Sequence, residues 1–471
     1  MGAARPGDGR MGRTALSAGG RVGRCLAWRG ERANTLGTRR THRTHRTGGP
    51  AGPAAPPVVG HGWAQALGTV LAGLVAMGAV AALGLWAAGA ADLPANAFPR
   101  VVAATVVTAV GGALEMSGDA EGFAETDAGL AVLPLSVTLT GALVIARGFL
   151  RPLRHRALAG PAELAGWAGR IAFLWLLALL GAAFAARQTF EVSLGEGVLS
   201  DLGDLFGVAP RVGFTTDVPL TVLFGLLWLA GVFVLALLVA RGAPLPGRLP
   251  ALRASARPVA CAMVALLLAY VVLGAVVALV VAGTRGHPAD TFAVLLLGLP
   301  NLAWLALTVG LGATWDGRVE GPFGLPVPHV LDEVLRTPDV STVNLGTLSD
   351  RDGRMWWLLV VAAVLVLAAG FLVAYHSAAR TPLWLHAVRT GVALALTVLM
   401  IGLVGRVSAH YGLSVLGIGD LGGGLSGQVF LRPRLRSAVG LALLWGLVAG
   451  TLGALLARWV GRRSGRAPSG S

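Results

Sequence analysis

Lysine is absent from this chain of 471 residues, so all 38 basic side chains are arginine against 23 acids. With the Ala, Gly, Val and Leu bias, that reflects GC-rich coding more than a demand for guanidinium chemistry. Charge of either sign is scarce at 13%, where a soluble domain carries about 25%, so a mainly water-facing surface is excluded. There are two cysteines, Cys25 and Cys261, neither in a metal-ligand or C-x-x-C spacing, which excludes a disulfide framework and a structural zinc. No GxSxG, HExxH or paired-Asp motif occurs, so the sequence carries no hydrolase, zincin or intramembrane aspartyl protease signal and reads as non-enzymatic. No apolar core precedes residue 62, so no secretory signal peptide is expected.

What fills the chain instead is apolar and long. Runs near 64–88, 128–146, 165–186, 218–240, 258–283, 291–314, 355–375, 386–405 and 436–459 each approach the ~20 residues that span a hydrocarbon core. A shorter run at 101–114 ends in Glu115 and reads as a re-entrant or interfacial helix. The expected fold is an all-α, polytopic transmembrane helix bundle of eight to ten membrane segments, residues 62–460, ending in a short basic tail at 461–471. Small-residue stripes at Gly446, Gly450, Ala454 and at Gly68, Ala72, Ala76 suit close helix approach. Trp63, Trp86, Trp167, Trp315, Trp356, Trp357 and Trp459 sit near run ends, as an interfacial belt requires.

Residues 1–61 stand apart. Their 11 arginines face only Asp8 and Glu31, and Thr41–Thr47 is low in complexity. Such a stretch lacks the apolar surface to offset its ordering entropy and reads as a disordered cytoplasmic tail, or as a start codon placed too early. The net charge of +15 sits in tails and loops beside apolar runs. It therefore serves topology rather than nucleic acid, which is not expected as a partner.

Loop charges alternate through five runs. Glu115, Asp119, Glu121, Glu125 and Asp127 mark an external loop; Arg147, Arg151, Arg154 and Arg156 a cytoplasmic one; Glu191, Glu196, Asp201 and Asp204 an external one; Arg241, Arg248, Arg253 and Arg257 a cytoplasmic one. The alternation then fails, because 315–354 holds seven acids against four arginines where an internal loop is due. Two readings stand. Either 291–314 dips in and returns as a hairpin broken at Pro300–Asn301, or it is a kinked full span, the commoner outcome for proline in membranes. The kinked span requires a further embedded segment near 411–431. No loop is long enough to build its own core.

Polar residues near these breaks are the candidate sites: Pro300, Asn301, Arg389, His410 and Asp420. Gly417, Gly419 and Gly422 spell GxGxxG, but without the flanking strand and helix of a dinucleotide fold they do not indicate a nucleotide. They leave an irregular backbone beside Asp420, of the kind that holds a cation or proton in discontinuous membrane segments, or else a solvated loop. Arg389 shares a helix face with His386, which makes either a proton relay or an interfacial anchor. Neither a cofactor nor a metal is indicated.

Four stretches are distinctive in wording: Gly118–Leu143, LGLPNLAW ending at Trp304, Asn344–Val360, and Ser408–Gly427 (SAHYGLSVLGIGDLGGGLSG). They resemble the streptophobe family, very hydrophobic actinobacterial membrane proteins. The resemblance implies a multi-pass protein of the plasma membrane and brings no catalytic or binding residue with it. Function is expected to be transport or permeation, with the lipid bilayer and a small solute as partners. The alternative is a non-enzymatic assembly or envelope protein that binds partner membrane proteins.

Overall fold

The computed structural model describes residues 62–92, 97–112, 114–119, 124–131, 133–154, 160–191, 211–240, 249–284, 288–319, 335, 340–377, 381–415 and 427–464. The arginine-rich 1–61 and Asp420 lie outside them. The chain runs α1 (Trp63–Ala87), α2 (Ala97–Ala109), β1 (Leu114–Asp119), β2 (Ala124–Ala131), α3 (Leu135–Arg154), α4 (Pro161–Ala185), β3 (Gln188–Glu191), β4 (Arg211–Thr216) and α5 (Val218–Val239). It continues as α6 (Leu249–Thr284), α7 (Pro288–Gly310), β5 (Trp315–Val319), β6 (Ser341–Val343), α8 (Leu345–Arg351), α9 (Trp357–His376), α10 (Leu383–Val404), β7 (Val407–Val415), β8 (Gly427–Pro433) and α11 (Leu435–Ser464). The protein is a polytopic helix bundle, as its composition requires.

The loops expected to stay without a core join into one antiparallel sheet of eight strands, ordered β3-β4-β1-β2-β7-β8-β5-β6. Each hairpin alone is marginal, but four of them pair edge to edge and so satisfy one another's backbone groups. The segment near 411–431, a candidate for membrane embedding, belongs to β7 and β8 of this sheet where it is described.

The sheet order is a four-strand unit written twice, and so is the rest of the fold. Leu114 pairs with Leu130 and Thr216 in the first unit, and Trp315 pairs with Val343 and Pro433 in the second. Gln188 faces Phe214 as Val407 faces Leu431. With these pairs as the frame, α1–α5 and α6, α7, α9, α10, α11 are two copies of one repeat, and α8 with its neighbouring turn is an insertion. In the first repeat α1 packs on α2, α3 and α4, α2 on α3 and α4, and α5 on α3 and α4. Every one of these contacts has its counterpart in the second.

Side chains follow the same frame. Buried Ala66, Val70 and Met77 of α1 match Val259, Met263 and Tyr270 of α6. Buried Trp175 and Leu179 of α4 match Leu394 and Val398 of α10. The tripeptide Leu226-Leu227-Trp228 of α5 recurs as Leu443-Leu444-Trp445 of α11.

Both α2 and α7 end in the same device. Gly111 (φ 96°) and Gly312 (φ 91°) adopt the left-handed region that an L side chain resists. Gly112 donates to Val107 O and Gly111 to Thr108 O; Ala313 donates to Thr308 O and Gly312 to Val309 O. These Schellman closures stop each helix and send the chain back into β1 or β5. The turns lie within the bundle: Gly111 abuts Phe224, and Gly312 abuts Leu441. Phe224 and Leu441 are each six residues into a helix that leaves the sheet, about 9 Å along its axis.

By length and composition α1, α4, α5, α6, α7, α9, α10 and α11 are each able to cross a membrane, and connectivity bears on how α6 and α7 share a crossing. The start of α6 lies at the face opposite the sheet, where Arg253 and Arg257 donate to Ala240 O and Val239 O at the far end of α5. The end of α7 feeds the sheet. With the whole sheet on one membrane face an odd number of crossings must separate those points, so α6 and α7 would not both cross. α7 touches the sheet-proximal ends of its neighbours, with Leu296 and Leu297 beside Gly84 of α1 and Gly310 against Leu358 of α9. On that condition α6, with 36 residues, is the crossing helix and α7 is not. On the same condition segment 291–314 would not be a kinked span. It returns at Leu311–Ala313 rather than at Pro300, which lies inside an unbroken α7.

α3, which is not among the helices apolar enough to cross by composition, would then take the eighth crossing. Its Arg147, Arg151 and hydroxyls make it a poor apolar run, yet Ile145 and Phe149 are wholly buried against the first repeat. On that condition the crossings among the described residues would be α1, α3, α4, α5, α6, α9, α10 and α11, with Trp63 and Ser464 at the face opposite the sheet.

Of the tryptophans at run ends, Trp63, Trp86, Trp356, Trp357 and Trp459 are exposed as a belt requires, while Trp167 and Trp315 are buried. Trp315 Nε1 donates to Thr308 Oγ1 at 3.0 Å and fixes the return from α7 into β5. The stripe at Gly446 and Gly450 does seat a helix: a side chain there would meet Gly391 Cα at 2.6 Å or Ala387 Cα at 2.8 Å. Gly68 of the other stripe faces open space.

Candidate functional site

The sequence-derived candidates do not converge on one centre. Asn301 stands one residue after Pro300 on α7 and clamps the entry to α3: its Nδ2 donates to Leu133 O at 3.0 Å, and its Oδ1 accepts from Leu135 N at 3.2 Å. Ser136 Oγ adds a bond to Leu295 O at 3.1 Å. These groups satisfy the backbone where β2 gives way to α3, and they tie the second repeat to the first. In the first repeat Pro99 and Arg100 occupy the matching place, and Arg100 Nη1 reaches Arg187 O instead.

His410 lies on β7, opposite Gly129 of β2 and Gln428 of β8, in the sheet rather than in the bundle. Arg389 lies near the start of α10, toward the face opposite the sheet, and is half-buried. Its counterpart in the first repeat is Arg170, whose guanidinium sits 5.9 Å from the centre of the Trp63 ring. An arginine at this place in both copies fits an anchor at the membrane boundary.

The residues that draw attention chemically are ones the sequence reading passed over or mentioned only as neighbours. His386 and Thr390 are 5% and 0% exposed on one face of α10, one turn apart. Neither His386 Nδ1 nor Thr390 Oγ1 has a hydrogen-bond partner. The Tyr270 hydroxyl, buried on α6, has none either. A buried polar atom without a partner costs about 1–3 kcal/mol, more than its apolar replacement would. Arg389 and Arg458 are near enough to act electrostatically on the His386 ring. Arg458 Nη2 also reaches Thr381 O at 3.5 Å. The set offers an imidazole, a hydroxyl and two guanidiniums. Among the described residues, no three His, Cys, Asp or Glu side chains gather as a metal would require. Periodicity alone had no means of separating these residues from core positions, because they fall on the buried face at regular spacing. What singles them out is comparison of the two repeats: Trp167 and Ile171 hold the places of His386 and Thr390.

On the sheet face, Arg434 grips Asp316 through Nε at 3.0 Å to both carboxylate oxygens and through Nη2 at 2.9 Å. This pair joins the entry of β5 to the exit of β8 in water-exposed surroundings, where it sets register more than stability. No family model, curated protein or solved structure matches the chain.

Proposed function

We propose that this protein is a permeation or transport protein of the plasma membrane, with no enzymatic activity, and a member of the streptophobe family. The observation that carries the reading is the tandem repeat in which each copy holds one helix that enters the bundle and turns back. Same-orientation repeats are a recurrent plan of membrane carriers, in which one half moves against the other. Backbone that enters the bilayer without crossing is tolerated where protein or a cavity surrounds it. α2 and α7 are such segments, and residues 288–297 lengthen α7 at its start and lay it across the first repeat.

Three of the four stretches that carry the family resemblance meet at one place. Leu297–Trp304 supplies Asn301, Gly118–Leu143 supplies Leu133 and Leu135, and Ser408–Gly427 supplies the β7 partner of β2. All three lie at the junction between repeats, which is where a two-part carrier must be conserved in shape to move. Arginines at the face opposite the sheet set that face in the cytoplasm by the positive-inside rule, and the acidic loops that feed the sheet set the sheet outside.

A second reading is favoured by the sheet itself. Eight strands make a folded platform on one membrane face, and among the described residues its outer strands β3 and β6 each pair on one side only. An assembly protein would use that platform to hold partner membrane proteins. Reconstitution decides between them. Liposomes containing the protein are expected to dissipate imposed H⁺, K⁺, chloride or phosphate gradients faster than empty vesicles. Equal leak for all four, together with a membrane protein recovered at fixed stoichiometry from detergent extracts, would replace transport by assembly.

A further inference from the structure

We propose that His386, with the Thr390 hydroxyl one turn along α10, is a proton-binding site set inside the membrane close to its arginine-rich face. Its use in coupling rests on the permeation reading, but its existence does not.

Two independent observations meet here. The first is burial without partners: His386 Nδ1 and Thr390 Oγ1 are both enclosed and unbonded. The second comes from the repeat. The same two places on α4 are taken by Trp167 and Ile171, both buried at 2% or less, so the fold at this position is built without an imidazole or a hydroxyl. A polar pair that the scaffold does not need, and that is left without bonds, is a cost retained for another purpose. Imidazole is also the side chain whose charge changes most readily between about pH 5 and 8.

The surroundings define what binding a proton does. The proton adds to the lone pair of a ring nitrogen and creates an N–H; no bond joins the ring to Thr390 Oγ1 as the side chains stand, so that hydroxyl accepts only after one of the two rotates. It also places a positive charge in the field of Arg389 on α10 itself and of Arg458 on α11. From α9 the titratable groups at this end are Tyr375 and His376, both exposed; His376 Nδ1 is engaged with Leu372 O at 2.9 Å. From α6 they are Arg253 and Arg257, held by carbonyls at the end of α5. α7 ends near the sheet and brings none to this level. Like charges repel, so the protonated ring favours an arrangement in which α10 shifts relative to α11. The contact it would loosen is the one closed by Gly446 and Gly450, where the α10 backbone lies against α11. Proton uptake and helix movement are thereby linked, as a ligand is linked to the state it binds better.

The test uses the full chain in lipid nanodiscs, labelled with ¹⁵N at its nine histidines. The His386 signal, identified by its loss in His386→Gln, is expected to titrate within the pH range over which the protein stays folded, and its midpoint is expected to move in Thr390→Ile and in Arg389→Gln. Thr390→Ile installs the residue of the first repeat and is expected to melt no lower than the parent protein. A His386 signal that stays flat across that range, or a midpoint indifferent to Thr390→Ile, would overturn the proposal. So would a Thr390→Ile variant that unfolds, because the hydroxyl would then be structural. A protein that titrates at His386 yet leaks no protons keeps the site and loses the transport reading; proton leak with a silent His386 does the reverse.

Discussion

The two repeats solve one packing problem in opposite ways. In the first, α3 and α5 are held apart by aromatic rings, with Phe149 stacked on Phe233 at 4.3 Å between centroids. At the same place in the second, Gly370 of α9 meets the backbone of α11 at Ala449 and Gly450. Volume fills the first contact and its removal closes the second. Either satisfies the demand for dense packing in a medium that offers no hydrophobic drive between helices. The lesson is that connectivity and register define this fold more tightly than side-chain identity does. A glycine stripe is one of two local answers rather than a requirement of the architecture.

Exchanging the two answers should break the protein most severely. Gly450→Phe forces a ring into α10 backbone and is expected to abolish recovery of folded, monodisperse protein in detergent, as read by fluorescence-detected gel filtration. The reverse change, Phe233→Ala in the first repeat, leaves a cavity and is expected to cost about 3 kcal/mol, seen as a lower melting temperature. If Gly450→Phe were recovered intact, the close approach of α10 and α11 would be wrong.

A smaller effect separates the two Pro-x pairs. Asn301→Ala removes two hydrogen bonds at the junction of the repeats and is expected to destabilise by about 2 kcal/mol. Arg100→Ala removes one exposed bond and should shift the melting temperature by less than half as much. Equal shifts would deny Asn301 its clamp. Smallest are the helix entries that follow β4 and β8. Asp217 caps α5 through Leu220 N at 3.0 Å, so Asp217→Ala is expected to cost about 1 kcal/mol. Asp316→Asn, which breaks the exposed pair with Arg434, should leave the melting temperature unchanged in high salt. A large loss there would show that the sheet depends on that pair.

Much of this was legible in the sequence, and the omissions have physical causes. Apolar length reveals helices because lipid permits few polar side chains, and the acidic segment 315–354 contributes β5 and β6 to the same sheet as the strands of the other acidic loops. The sheet escaped notice because its strands are short and interrupted by glycine, and each depends on neighbours distant in the chain. Pro300 attracted attention as a break, yet the chain turns twelve residues later at Gly312, where only the left-handed backbone betrays it. The repeat left a faint trace: Pro99 and Pro300, Gly111 and Gly312, Arg170 and Arg389, Arg187 and Arg406. Those coincidences are too sparse to stand out among so many interchangeable Ala, Val and Leu residues. His386 was visible as a neighbour of Arg389, but its place opposite Trp167 of the other repeat was not.

The central claim is that eight helices cross and α7 does not, so that both repeats enter from one face and raise their strands on the other. It is tested by single cysteines in a background with Cys25 and Cys261 replaced, probed in intact cells with a membrane-impermeant maleimide. Asp350→Cys on α8 and Thr215→Cys on β4 are predicted to label from outside, and Gly160→Cys between α3 and α4 only after permeabilisation. Labelling of Asp350→Cys only after permeabilisation would mean that α7 crosses, and the tandem repeat would have to be abandoned.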